Sequence, residues 1–387
     1  MAGGDSHSLA ERTRSGSDDA ALWRRFRGTG GEDVKIGVLQ RLKQAAPAPQ
    51  GFSHHLADLV PSDLLRGEAL ISGIWRIGMS RMTLAPGEDP WSLALPSKHV
   101  ADRLHRFAWL PDLFAQGEDG AARARALVDS WIAGHGRFNG FSWRIEPTAV
   151  RLWNWLRCGA ALFEVGDAAA CGERLDCYIR QVRYLGEVVD TSPEPKARWN
   201  AAVVLVANAL CFGDTLALGP ALDRLDAECT AQILPDGGHV SRAPSRTLGC
   251  LLQLLALEDL LTRSGGAVPD FFGKWIPRMG AMVAFFHVPD GALDPFNDGD
   301  ESRPEVVEAA LSRLPAPPRR FTFAPKSGFQ KLEKHRLRLV LDCGEAPGEP
   351  FGDQAHAGAL GFDLSDGPAR IVTSCGFSSE VNVDWQA

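Results

Sequence analysis

Between residues 99 and 286 the apolar residues recur every three or four positions, which is the spacing of amphipathic helices. The pattern predicts helices over residues 99–109, 121–133, 148–163, 171–189, 198–212, 221–233, 247–261 and 271–286. The helix over 247–261 is apolar on nearly all sides, so we expect it to be buried. Short turns rich in glycine and proline separate the helices. Such a series of antiparallel hairpins predicts a toroid or partial barrel of helices.

After a proline-rich segment at 315–320 the apolar period drops to two, which is the period of a strand. Leu337, Leu339 and Leu341 share one face of a predicted strand, and 360–364 alternates in the same way. The length that follows the segment suits four or five strands. We therefore predict four regions: a disordered segment over 1–30, a helical domain over 31–314, a linker over 315–320 and a β-domain over 321–387.

One turn between two predicted helices carries several polar side chains. Gly237 and Gly238 are adjacent, and His239, Ser241 and Arg242 follow them. Two glycines in a row allow the backbone to approach another part of the structure closely. A turn with these side chains is also where a helical scaffold displays functional groups. The alternative is a tight connection between helices, in which the histidine only hydrogen-bonds the turn.

Composition narrows the possible partners. The 387 residues carry a net charge of −7, which argues against a nucleic-acid partner. The many arginines in the middle of the chain suit an anionic small molecule or polysaccharide, or else a solvated surface. The eight cysteines form no CxxC pair, and we predict no metal ion and no other cofactor. We expect no membrane insertion, since no apolar run is long enough, and the N-terminal residues lack the apolar core of a signal peptide.

Four segments, in order, resemble the heparinase II/III-like family of polysaccharide lyases. They are the Trp143–Glu146–Pro147–Arg151–Asn154–Trp155 pattern, Asn200 near a predicted helix start, the turn at 236–242, and residues 354–364. The resemblance covers residues 95–376. It implies an α+β fold, in which an incomplete (α/α) toroid of helical hairpins precedes an antiparallel β-sandwich that is truncated here.

The resemblance also implies a function and a site. Members of the family cleave uronate-containing glycans, such as heparan sulfate or alginate, by β-elimination. This reaction needs a group that neutralises the uronate carboxylate and an acid or base that moves the proton. The implied catalytic residues are Asn200, His239 and His356, and the implied substrate-binding residues are Arg242, Trp143, Arg151 and Gln354. The partner would be an anionic polysaccharide or oligosaccharide, and the family usually works in the cell envelope or periplasm. The chain itself shows no export signal, which by sequence favours the cytoplasm.

The sequence departs from the family pattern at several of these positions. Gln354 and Gly358 stand where the family has histidine and aspartate, and Ala201 stands where many members have histidine. The tyrosine expected shortly after the turn is missing, and Ser245 and Arg246 occupy that region. The missing tyrosine and the short β-domain favour an alternative function, namely a catalytically degenerate glycan-binding or structural protein of the same fold.

A third possibility is a glycoside hydrolase built on a helical toroid. Hydrolysis would require two carboxylates that face each other across a cleft. Glu146 and Asp236 are the only pair that we can nominate from the sequence.

Overall fold

The computed structural model describes residues 51–78, 80–297, 299–300, 302–352, 355 and 360–374. These residues form two compact units. The first comprises residues 62–190. The second comprises residues 51–61 together with 191–374.

The first unit is mostly helical. Its helices are α1 (Leu64–Ile71), α2 (Lys98–His105), α3 (Leu110–Phe114), α4 (Gly117–His135), α5 (Ile145–Phe163) and α6 (Ala168–Val188), with a hairpin of β1 (Ile74–Ile77) and β2 (Ser80–Thr83) after α1. Side chains of Asp63, Ser97 and Asp167 accept hydrogen bonds from the first backbone N–H groups of α1, α2 and α6. Such caps fix where a helix begins. The helices predicted over 121–133, 148–163 and 171–189 are confirmed, whereas the one predicted over 99–109 ends at His105 and α3 follows it as a separate helix.

The second unit begins with further helices. They are α7 (Pro195–Cys211), α8 (Thr215–Gln232), α9 (Pro244–Arg263), α10 (Asp270–Phe286) and α11 (Pro304–Leu311). Proline stands near the start of α7, α9 and α11, where its fixed φ suits a helix and its missing N–H costs nothing. The predicted burial of the helix over 247–261 is confirmed, because the leucines on all sides of α9 are buried. Consecutive helices pack as pairs, α7 with α8 and α9 with α10.

A five-stranded antiparallel sheet follows the helices. Its strands are β3 (Phe323–Ala324), β4 (Phe329–Lys334), β5 (Leu337–Asp342), β6 (Phe362–Asp366) and β7 (Ala369–Val372), and they lie side by side in chain order. The α+β fold class, with helical hairpins before an antiparallel sheet, is thus confirmed.

The burial of β5 is the reverse of what an alternating strand usually shows, since its leucines do not face the interior. In β5, Arg338, Val340 and Asp342 are buried, whereas Leu337 is exposed and Leu339 and Leu341 are half-buried. The leucines therefore occupy the outer face of the strand. The inner face carries charged groups that pair with residues outside the sheet.

Within the part of the chain that the structure describes, no helix has both the length and the hydropathy needed to cross a membrane.

Candidate functional site

The glycine turn joins α8 to α9 and lies close to two other segments. Gly237 has φ +97°, and a Cβ there would overlap the backbone carbonyl of Arg278 in α10. A Cβ on Gly238 would overlap the hydroxyl of Ser327, which lies just before β4. The close backbone approach predicted from the two glycines is confirmed, and the neighbours are a helix and the edge of the sheet domain.

Asp236 fastens this turn to the segment that enters β4. Its Oδ2 accepts hydrogen bonds from the backbone N–H of Lys326 (2.9 Å) and of Ser327 (2.7 Å). Its Oδ1 accepts a third from the Ser327 hydroxyl at 2.8 Å. A carboxylate with these partners acts as a structural clamp within the second unit.

Arg242 ends the turn as a second clamp. Its Nε donates to the carbonyl of Ser327 at 2.8 Å, and its two terminal nitrogens donate to the carbonyl of Glu345 and to Asp342 Oδ1. The guanidinium also lies over the ring of Phe329, with 4.8 Å to the ring centroid. All three guanidinium nitrogens are engaged, and the ion pair with Asp342 is buried.

His239 lies inside the turn with only 2% of its surface exposed. Nδ1 accepts a hydrogen bond from the backbone N–H of Ser241 (3.0 Å) and lies 2.8 Å from the Ser241 hydroxyl. The proton of the ring is therefore on Nε2, which is 3.2 Å from Oε1 of Gln232. Burial, with the charges of Arg246 and Lys196, holds the pKa of His239 well below its usual range. The imidazole is neutral, and both of its nitrogens are engaged.

The hydrogen bonds of His239 continue into the helices. Gln232 donates through Nε2 to the carbonyl of Pro195 (2.8 Å) and to Glu228 (2.6 Å). Glu228 in turn accepts from Arg198 at 2.9 Å. Sequence reasoning missed Gln232, Glu228 and Arg198 as partners. The one available signal was the spacing of four residues between Glu228 and Gln232, which places both on one face of α8.

Asn200 is not at a helix start. It is the sixth residue of α7, which begins at Pro195, so it lies in the second turn and cannot be the N-cap. Its Oδ1 accepts a hydrogen bond from Nε2 of Gln253 at 3.3 Å, and Gln253 also accepts from the indole of Trp199 at 2.7 Å. The amide of Asn200 therefore links α7 to α9.

Arg151 lies in the interior of the first unit. It donates to Gln181 Oε1 (2.8 Å), to the carbonyls of His105 and Ser142 (both 3.0 Å), and to the hydroxyl of Thr148 (3.1 Å). All of these acceptors are neutral, and burial lowers the pKa of Arg151 to about 9. Such a buried cation holds α5, α6 and the end of α2 together.

Trp143 also belongs to the first unit. Its indole N–H donates to the carbonyl of His135 at 2.9 Å, and the side chain is buried. Glu146, one half of the possible hydrolase pair, forms an ion pair with Arg106 at 2.9 Å in the same unit.

The structure thus places those predicted site residues that it describes in two groups. Asn200, His239 and Arg242 lie in the second unit, and Trp143 and Arg151 lie in the first. His356 and Gln354 fall outside the described residues. Among the residues that are described, no group of three or more His, Cys, Asp or Glu side chains is arranged to hold a metal ion.

Comparison with known proteins gives a family match for the C-terminal residues and a fold. Residues 316–387 match the family model described as "Heparinase II/III-like, C-terminal". The chain is 35% identical over 344 residues to FtsZ-localized protein C of Caulobacter vibrioides (strain NA1000 / CB15N), an alignment that covers 88% of this chain and 59% of that protein.

Solved structures extend the comparison to the whole chain. A crystal structure of heparinase III matches with a TM-score of 0.62 at 13% identity, and heparan sulfate lyase HepC from Pedobacter heparinus matches with 0.51 at 16%. Each match covers 98% of this chain and 66% of the other. At such low identity these matches show the fold alone. The chain also spans less than two thirds of the length of each protein that it resembles.

Proposed function

We propose that this chain, whose residues 316–387 match the heparinase II/III-like C-terminal family model and whose fold matches that of heparinase III, binds an anionic glycan without cleaving it. The observation that carries this proposal is the state of His239. A residue that removes a proton from a sugar must come within hydrogen-bond distance of that proton. His239 is buried and neutral, and Ser241 and Gln232 engage its two ring nitrogens.

The second requirement of β-elimination is a group that neutralises the uronate carboxylate. Arg242 would be the cation for this role, but its guanidinium already pairs with Asp342. The amide of Asn200 is buried and accepts a hydrogen bond from Gln253. Together with the missing tyrosine after the turn, these contacts support the family fold with a structural core in place of a lyase centre.

Glycan recognition is supported by the fold and by the family. Heparan sulfate lyase HepC, which has the same fold, is named for a sulfated uronate polymer. The exposed Arg137 and the half-buried Arg180 suit a partner of that charge.

A direct assay tests the proposal. The protein is incubated with heparan sulfate, alginate and hyaluronan while the absorbance of the unsaturated product is followed, and binding to the same polymers is measured by calorimetry. We expect binding to at least one polymer with no rise in absorbance, and no binding to neutral dextran. A rise in absorbance that is lost in His239→Gln, with the fold intact, would restore the lyase function.

A second candidate function follows from the relative in Caulobacter. That relative is named for its localisation with FtsZ, and the alignment with it covers 88% of this chain. We propose on this basis that the chain is a structural protein that localises with FtsZ in its own cell. A fluorescent fusion should form a band that coincides with labelled FtsZ. An even distribution of the fusion would contradict this function and leave the glycan proposal standing.

A further inference from the structure

The loop between α4 and α5 forms an aromatic cluster with α6 at the surface of the first unit. The ring of Phe138 lies 6.0 Å from that of Trp143 and 5.4 Å from that of Tyr184, measured between centroids. Trp143 and Tyr184 are 5.6 Å apart. Trp143 is buried, Tyr184 is half-buried, and Phe138 is 37% exposed. Trp143 therefore forms the buried side of the cluster, and Phe138 presents aromatic surface to solvent.

Arginines accompany these rings. Arg180 lies one helical turn before Tyr184, so both point to the same side of α6. Its Nη2 lies 3.4 Å from the carbonyl of Gly136, at the start of the same loop. Arg137 is the direct neighbour of Phe138 and is exposed. Arg137 thus lies next to Phe138 along the loop, and Arg180 lies one turn from Tyr184 along α6.

We propose that Phe138, Tyr184, Arg137 and Arg180 form a binding site for an anionic oligosaccharide. The inference rests on the proposed function and locates the glycan-binding site in the first unit. The negative face of an aromatic ring attracts the polarised C–H groups of a sugar ring. A guanidinium offers two parallel N–H groups to a carboxylate or sulfate. Rings and cations side by side match the two chemical features of a uronate or sulfated sugar.

The hydroxyl of Tyr184 fits the same ligand. Burial raises the pKa of Tyr184, so its hydroxyl keeps its proton and can donate a hydrogen bond. Single-stranded nucleic acid would also find rings and cations here. The net charge of −7 opposes a long polyanion more strongly than a short one, and this favours the oligosaccharide.

The test measures binding of a heparin-derived hexasaccharide to the full chain by calorimetry. Phe138→Ala should weaken binding by about tenfold, the upper end of what one aromatic contact contributes. Arg180→Gln and Arg137→Gln should each weaken it by about tenfold, the lower end of what a charge-assisted hydrogen bond contributes. Arg137 is exposed in the loop, so Arg137→Gln should fold normally and keeps the test valid if either of the other two variants misfolds. Matched controls in the same unit are Val165→Ala and Arg103→Gln, which remove an exposed apolar side chain and an exposed charge, and both should bind as the wild type does.

Each outcome decides the matter. If the wild type binds the hexasaccharide and all three variants bind equally well, this site is wrong and the proposed function stands. If the wild type does not bind the hexasaccharide or any of the three polymers, the proposed function fails and the site falls with it. If the wild type binds single-stranded DNA but not the hexasaccharide, and Phe138→Ala loses the DNA binding, the site binds nucleic acid and the glycan proposal is overturned.

Discussion

At the scale of single residues, His239 shows how a histidine in a glycine turn becomes part of the interior. Its backbone N–H donates to the hydroxyl of Thr247 at 3.1 Å, and its ring contacts Phe351 edge-on, with 5.3 Å between centroids. Gln232 and Ser241 engage the ring nitrogens. Buried polar groups with complete hydrogen bonding stabilise a specific arrangement, and removal of one partner leaves the others unsatisfied.

We therefore predict that His239→Ala lowers the free energy of unfolding by about 3 kcal/mol, since it leaves a cavity and unpaired groups on Gln232 and Ser241. Urea unfolding followed by tryptophan fluorescence measures this. The control is His335→Asn, at an exposed position with φ +57° that asparagine tolerates, and it should change stability little. A catalytic role would show the opposite result, with unchanged stability and lost activity.

At the scale of elements, ion pairs attach the sheet to the helical part of the second unit. Arg338 of β5 donates to Asp294 at 2.8 Å, and Arg370 of β7 donates to Asp290 at 2.7 Å. The pair of Arg242 with Asp342 adds a third attachment, since one partner is in the glycine turn and the other in β5. The stability of these attachments depends on complete pairing, because an unpaired buried charge is costly.

The pair of Arg242 and Asp342 allows a double-mutant test of these attachments. Arg242→Met alone should destabilise the protein by about 3–5 kcal/mol, because Asp342 is left buried and unpaired. The double variant Arg242→Met with Asp342→Leu should lose less than the sum of the two single variants. Urea unfolding of the four proteins gives the coupling energy. Additive losses would mean that the two side chains act independently.

The outer face of the sheet presents apolar side chains to solvent. Leu332, Leu337, Phe362 and Ile371 are each more than two-fifths exposed, and they come from four neighbouring strands. An exposed apolar patch of this kind marks an interaction surface or a source of aggregation.

We predict that the wild type binds a hydrophobic dye such as anilinonaphthalene sulfonate in its native state, and that Leu332→Lys with Leu337→Lys reduces the dye fluorescence severalfold. Stability should change by less than about 0.5 kcal/mol per site, as is usual for exposed positions. The control Leu216→Lys replaces an isolated exposed leucine in α8 and should leave the fluorescence unchanged. Equal fluorescence in all three proteins would contradict the assignment of the dye site to the sheet.

At the scale of the whole molecule, the helices could be read from the sequence because their signal is local. The spacing of apolar residues located α4 to α10, and the proline-rich segment located the change to strands. The faces of β5 could not be read in this way, because Arg338 is buried only where Asp294 meets it, 44 residues earlier in the chain.

The site was harder to predict for the same reason. The adjacent glycines with their polar neighbours, and then the resemblance, singled out the turn at 236–242, which is a point where a helix and the sheet domain meet. Its chemistry depends on partners far along the chain, since Arg242 pairs with a residue 100 positions later. Asn200 was misplaced at a helix start because Pro195, which begins α7, also fits a break between helices.

Protonation of buried groups sets the pH dependence of stability for the whole molecule. Burial raises the pKa of Asp294 to about 7, against the opposing charge of Arg338 and with the help of nearby Asp363, from an ordinary value of 3.8. Between these two pH values the native state keeps a proton that the unfolded chain has lost. This contribution to the free energy of unfolding therefore falls as the pH rises from about 4 to about 7.

His239 gives the free energy of unfolding the opposite pH dependence, because its pKa lies below the ordinary value of 6.5 in the native state. Its contribution falls as the pH drops below 6.5, where the unfolded chain takes up a proton. We expect Asp294→Asn to gain stability relative to the wild type from pH 4 to pH 7, and His239→Gln to gain relative stability from pH 6.5 to pH 5. Urea midpoints at four pH values measure both differences. A stability difference between variant and wild type that stays constant with pH would show that the replaced group does not change its protonation on unfolding.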